Sequence, residues 1–499
     1  MASAGDFTYS PVAHVLMVLG IAVAATSLPS QAYAIIDSKT GLAIGLIGAW
    51  RYGWGILHFL RGTLYRAHVY PRMKRAAMAE KRKGFASYFL VTSFRIPTET
   101  TIEVYRAAFA AALKAPGPAT VVASIVDLSD QRIIKKLYAA MVADTDPVDL
   151  VIVRIDGSGK RDALASGFRA IARLFPAPDA MVAVIDGDSV VPDDLVEKCA
   201  PFFHDPKVGA LTTDEFAEVR GKWIFQQWYA LRFAQRHILM SSMGLSRRVL
   251  TLTGRMSMFR ASIICNPDFV AQVEVDFIDH PRLGRFKFLT GDDKSSWFWL
   301  LRNGYQMLYL PDVMIKTIED PPTESFFGSA AMLMVRWYGN MLRTNRRALA
   351  LGPRRIGYFV WWAILDQRMS MWTCLIGATS AILATLLISP FTILVYGVWI
   401  LASRYAITLS LFTARRQISV VAPLLLYFNQ IFGSAMKVFI FFHLDRQKWT
   451  RQNTTLAKAD RSWLVSYRKF ESKLYQSVSI LALITACSVM IGITTMSRL

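Results

Sequence analysis

Long apolar runs occur only toward the two ends of the chain. Val12–Leu28 and Leu42–Leu60 stand at the front; Met371–Ile388, Phe391–Phe412, Val420–Phe442 and Val478–Thr494 stand at the back. Each is close to the roughly 20 residues that cross about 30 Å of hydrocarbon. From about Phe85 to Pro322 no such run exists. Short β-rich segments alternate there with amphipathic ones, which predicts an α/β domain with a largely parallel sheet. The expected division is residues 1–84, two transmembrane helices and a basic linker; 85–330, the α/β domain; 331–369, interfacial helices; and 370–499, a second membrane region with a loop at 444–475. The expected fold class is thus a multi-pass α-helical membrane protein carrying one α/β domain.

Composition sharpens this. The 499 residues are 53% apolar and 19% charged, below the roughly 25% charged of soluble domains. So much apolar surface excludes disorder. Four widely spaced cysteines exclude a zinc cluster or a disulfide framework. The net charge is +21, and three blocks beside the spans carry 18 of it: 61–83, 336–355 and 445–473. The positive-inside rule places these blocks, the N-terminus and the α/β domain in the cytoplasm, against anionic lipid. Nucleic acid is not an expected partner, because the charge lies beside spans and not on one soluble face. Simple alternation would put 445–473 outside. Keeping it inside makes Val420–Phe442 a re-entrant or interfacial element, which suits Pro423 and the polar Asn429-Gln430. Ala32-Tyr33-Ala34 fits a signal-peptidase site, but the first ten residues lack Lys and Arg and a second span follows, so no cleavage is expected.

Two acidic motifs carry chemistry. Val182–Ile185 reads as a buried strand ending in Asp186-Gly187-Asp188. Ligands of open α/β sheets bind at such strand ends, and aspartates at i and i+2 can hold a hard divalent cation against a diphosphate. The second motif is Gly291-Asp292-Asp293-Lys294, followed by Gly304-Tyr305 and Tyr309-Leu-Pro311-Asp312. Helix capping needs one acid and leaves the pair unexplained.

In this order, with Asp127, Lys160 and Arg336-Trp337, the motifs resemble the processive membrane synthases of glycosyltransferase family 2. Further matching segments, among them Thr253–Arg260, Arg336–Asn340 and Leu444–Asn453, resemble the alginate-polymerising branch of that family. The resemblance implies a GT-A type domain in a bacterial inner membrane. It implies an inverting enzyme that polymerises GDP-mannuronate into β-1,4-linked polymannuronate and moves the chain outward. By it, Asp127, Lys160, Asp186 and Asp188 bind the nucleotide sugar, and Asp186 and Asp188 hold Mg²⁺ or Mn²⁺. Asp293 is the base, beside Asp292 where the family usually has Glu. Arg255, Lys294, Arg336 and Trp337 contact acceptor or polymer, with Leu333 at the position of the family's Gln. Trp449, Thr450 and Arg451 belong to a gating segment. The implied partners are periplasmic export components and a PilZ-domain co-polymerase sensing cyclic di-GMP, docking around 336–355 and 448–451. Arg302, Arg368, Arg404 and Lys437 are candidates to pair with uronate carboxylates. His237 is expected in helix packing or on a phosphate. Synthesis of another β-glycan, or transport with a degenerate domain, are the rival expectations.

Overall fold

A computed structural model of the chain describes residues 7–33, 39–80, 85–157, 159–447 and 462–493. Ten strands form: β1 Ser87–Thr92, β2 Ala119–Ile125, β3 Val148–Arg154, β4 Met181–Asp186, β5 Ser189–Val190, β6 Val208–Val219, β7 Met256–Arg260, β8 Phe277–His280, β9 Gly284–Lys287 and β10 Gln306–Glu319. Eight of them make one sheet in the order β3-β2-β1-β4-β7-β6-β10-β5. β1 is buried along its whole length, as a central parallel strand covered on both faces must be. It pairs in parallel with β2 on one side and β4 on the other. The strand order therefore reverses at β1, and a crevice opens at its carboxyl end. Thr92 is opposite both Ser124 and Asp186. The segment after β2, with Asp127, thus leaves the same edge as Asp186.

Helix α1 (Lys160–Ala172) lies on this sheet. Gly167 allows the approach: a Cβ there would meet the Leu90 side chain at 2.4 Å. That closeness brings the helix start, and Lys160, to the strand ends. Helix α2 (Trp223–Gly244) follows β6, and α3 (Asp292–Arg302) opens with the paired acids. Helix α4 (Phe326–Ala350) leads toward the apolar helices α5 (Tyr358–Leu387), α6 (Thr392–Leu411), α7 (Ala422–Phe442) and α8 (Ser462–Met490). Among the described residues these four are long and apolar enough to cross a membrane. The first apolar helix, Pro11–Thr26, is shorter, at 16 residues; Lys39–Leu64 is one 26-residue helix.

The division differs from expectation in three places. α4 begins at Phe326 and crosses the expected boundary at 330. α5 runs through the boundary at 369 as one 30-residue helix. The expected 444–475 loop is helical from Ser462, and Trp449, Thr450 and Arg451 lie outside the described residues. α7 is unbroken, yet both of its flanks touch the α/β domain. Before it, Arg415 grips Asp214. After it, the Gln447 side chain donates to Lys287 O and accepts from Leu289 N at 2.8 and 3.0 Å.

Candidate active site

β4 ends at Asp186, and the Lys160 ammonium pairs with it at 2.5 Å. The same ammonium reaches Asp292 at 3.3 Å and the Gly254 carbonyl at 3.4 Å. Lys160 therefore joins the two acidic motifs, 106 positions apart, into one cluster. Burial, with Asp188 and Asp292 nearby, pushes the Asp186 carboxyl up to about 7 against the pull of Lys160. Desolvation acts on the half-buried Asp292 as well, but Lys160 and Arg161 outweigh it and hold this carboxyl below the usual range. Burial and the neighbouring Asp292 raise Asp293. The two adjacent acids are thus split in acidity: one stays ionised, the other is the better proton acceptor.

The loop that presents them is fixed from behind. Gly291 has φ +85°, and a Cβ there would stand 2.7 Å from the Phe288 ring and 2.9 Å from Asn340; only glycine suits that bend. Arg161 is buried and donates to Val273 O at 2.6 Å, Leu289 O at 3.2 Å and Ser295 Oγ at 3.0 Å. Ser295 donates to Asp276 at 2.6 Å, and Arg347 of α4 grips Asp276 with two bonds, 2.7 and 2.9 Å. Thr290 donates to Asn340 at 2.6 Å. Thr251 donates to Asp293 at 3.3 Å. A pocket beside this cluster is lined by Asp292, Asp293, Ser296, Thr253 and Gly254.

The expected residues divide accordingly. Asp186, Lys160, Asp292 and Asp293 come together, with Asp188 two residues from Asp186. Asp127 is exposed on the shared strand edge. Trp337 and Arg336 are half-buried on α4, Trp337 packed against Trp228 with ring centroids 5.8 Å apart. Lys294 is buried and donates to Leu250 O at 2.7 Å, and burial lowers its ammonium to about 8. Arg255 is likewise spent inside, between Glu215 at 3.3 Å and Glu319. Arg302 is exposed, and its guanidinium is bonded to Gln272 at 3.2 Å. His237 packs, touching Tyr309 and Asp214 at 2.9 Å. Sequence reasoning missed Arg161, Asp276, Asn340 and the role of Arg347. Asn340 stands inside a matching segment and Arg161 directly follows Lys160, but nothing in the sequence marks their partners.

Among the described residues no three His, Cys, Asp or Glu side chains converge as a ready metal site. Asp186 and Asp188 are hard oxygen donors, and the crowding that raises Asp186 is of the kind a cation relieves. These residues fit a divalent ion.

An acidic pair at a strand's carboxyl end in a mostly parallel sheet, joined by a lysine to a second pair at a helix start, defines a GT-A-like glycosyltransferase domain, here with membrane-spanning-capable helices. Residues 86–340 match the family model described as "Glycosyltransferase like family 2", and the chain belongs to that family. It is 47% identical over 451 residues to "Glycosyltransferase alg8" of Pseudomonas syringae pv. tomato, covering 89% of this chain and 90% of that one. It is 46% identical over 452 residues to the protein of that name in Azotobacter vinelandii, covering 90% and 92%. Among solved structures it is similar to the mannosyltransferase PcManGT of Pyrobaculum calidifontis in complex with GDP-Man and Mn²⁺. The TM-score is 0.48 at 17% identity, over 80% of this chain and 98% of that one.

Proposed function

We propose that this glycosyltransferase acts in alginate biosynthesis and polymerises GDP-mannuronate into β-1,4-linked polymannuronate, which it passes across the inner membrane. The observation that carries the catalytic part is Lys160, bridging Asp186 and Asp292: donor-side and base-side acids share one site. The relatives named alg8 support the alginate part. Asp186 and Asp188 would hold Mg²⁺ or Mn²⁺, which when bound offsets charge on the departing GDP. Asp127 and Lys160 bind the nucleotide sugar. Asp293 takes the proton of the acceptor 4-hydroxyl as that oxygen attacks the anomeric carbon; Asp292, kept ionised by Lys160, sustains its basicity. The α/β domain is cytoplasmic, since its neighbouring segments carry the positive blocks.

The test is to supply purified membranes with GDP-mannuronate, GDP-mannose, UDP-glucose or UDP-glucuronate, with and without the divalent ion. Polymer from GDP-mannuronate alone is expected; polymer from a UDP-sugar alone would overturn the reading. Control by a PilZ partner is part of this proposal. Reconstituted with that partner and cyclic di-GMP the chain should synthesise polymer, and without either it should be weak. Full ligand-independent synthesis by the lone chain would refute the control.

A further inference from the structure

Several basic side chains near the helical region meet a carboxylate, and the buried Arg343 meets the Leu444 and Arg446 carbonyls. Arg415 sits on Asp214 at 2.8 and 3.1 Å, Arg51 pairs with Asp366, and Arg347 grips Asp276. Three other cations have neither a carboxylate nor a set of backbone carbonyls. Arg232 of α2 lies over Trp337, its guanidinium carbon 4.2 Å from the ring centroid. Lys437 of α7 places its ammonium 4.7 Å from the Tyr338 centroid. Gly433, one turn earlier, admits that contact, since a Cβ there would stand 3.1 Å from the Tyr338 hydroxyl. Arg404 of α6 is 8% exposed, and only neutral groups hold it: the Tyr52 hydroxyl at 2.9 Å, the Ser403 hydroxyl at 3.3 Å and the Gln430 carbonyl. Among the described residues no carboxylate forms an ion pair with any of the three.

A buried or half-buried cation without a counter-charge is unfavourable, and inside a helical bundle it marks a ligand path. The position agrees. Tyr229, one turn before Arg232, donates to Glu319 at 3.3 Å; Glu319 pairs with Arg255; and the Arg255 carbonyl accepts from the Asp186 amide at 2.9 Å. The cluster therefore begins a few contacts from the donor-side acid. It continues along α7, where Gln430 lies seven residues from Lys437, about 10 Å of helix rise. Aromatic faces suit the C–H surfaces of a sugar, and a guanidinium fork suits a carboxylate.

We infer that Arg232 and Lys437, continued by Arg404, form the subsite that takes the carboxylates of the glycan leaving the active site, and so select an anionic product. The inference rests on the uronate reading above. The test measures binding of an oligomannuronate and of the same oligomer with its carboxyl groups reduced to alcohols, in purified full-length chain, alongside GDP binding. The parent should favour the charged oligomer about tenfold or more, in a salt-sensitive way. Arg232→Gln with Lys437→Gln should bring that preference within about threefold and leave GDP affinity unchanged; Arg232→Lys should restore part of it. A double variant that binds GDP and keeps the parent's full preference overturns the subsite. So does a parent that binds both oligomers equally. A parent that binds GDP but neither oligomer overturns the mannuronate reading and the subsite with it.

Discussion

Lys160 holds two carboxylates from motifs distant in the chain, and its charge keeps Asp292 ionised beside an Asp293 that burial and Asp292 raise. Two outcomes follow at this scale. Asp293→Asn removes the proposed proton acceptor and leaves the proposed donor-binding groups in place. Turnover should fall about 10²–10⁴-fold with nucleotide-sugar affinity within a few-fold of the parent's, both read in one preparation; turnover within tenfold of the parent would disprove the base. The second outcome concerns pH. A base works deprotonated, so activity falls as pH drops through its pKa. Asp293 is raised by burial and by Asp292, which places the acid limb above the ordinary carboxylate range. Asp292→Asn removes the repelling charge, so the limb of kcat/KM should move to lower pH even as the rate falls. A limb that stays or moves up would show that another group sets it. The acids themselves were legible in the sequence because each motif is local. Their support was not. Arg161 meets Val273 and Ser295 across 112 and 134 positions, and no short spacing encodes such a pairing.

Helix α7 shows how far an element can be read from composition. Its 21 residues are apolar enough to cross a membrane, so hydropathy alone counts one more span. The basic block after it points the other way, and Arg415 before the helix and Gln447 after it both bind the α/β domain. Other boundaries were hidden for a plain reason. α5 begins at Tyr358, well before the apolar run at Met371, because the polar Asp366-Gln367-Arg368 interrupts an otherwise apolar stretch; Asp366 pairs with Arg51, and Gln367 accepts from Asn345 of α4 at 3.0 Å. Partners elsewhere satisfy those polar groups, and a window scan does not see them. The arrangement predicts a labelling pattern in a chain freed of its native cysteines. Lys469→Cys should react with a membrane-impermeant maleimide only after cells are permeabilised, whereas Pro390→Cys, between α5 and α6, should react in intact cells. Labelling of Lys469→Cys in intact cells would show that α7 crosses fully.

At the scale of the molecule, the apolar helices are fastened to the catalytic sheet by buried charge. Asp214, on β6, is 1% exposed and receives Arg415 from the α6–α7 connection and His237 from α2. Burial would raise this carboxyl, but the two bases outweigh it and hold it below the ordinary range. α4 makes a second tie, with Arg347 on Asp276 at the base-side loop and Arg343 donating to Leu444 O at 2.8 Å beyond α7. Shape and charge at these ties join helices that the sequence keeps far apart, so a defect at one of them should loosen the whole. Removing one member of a buried pair costs about 3–5 kcal/mol, because the other charge is left without a partner. Asp214→Asn should therefore lower the thermal midpoint of the detergent-purified chain by several degrees. Asp214→Asn combined with Arg415→Leu should recover part of the loss, since the stranded guanidinium is gone. Asp214 lies outside the Lys160 cluster, so GDP binding at low temperature should survive in both variants. A midpoint equal to the parent's in Asp214→Asn, with GDP binding intact, would mean that the sheet and the apolar helices are held together by their packed surfaces and not by this pair.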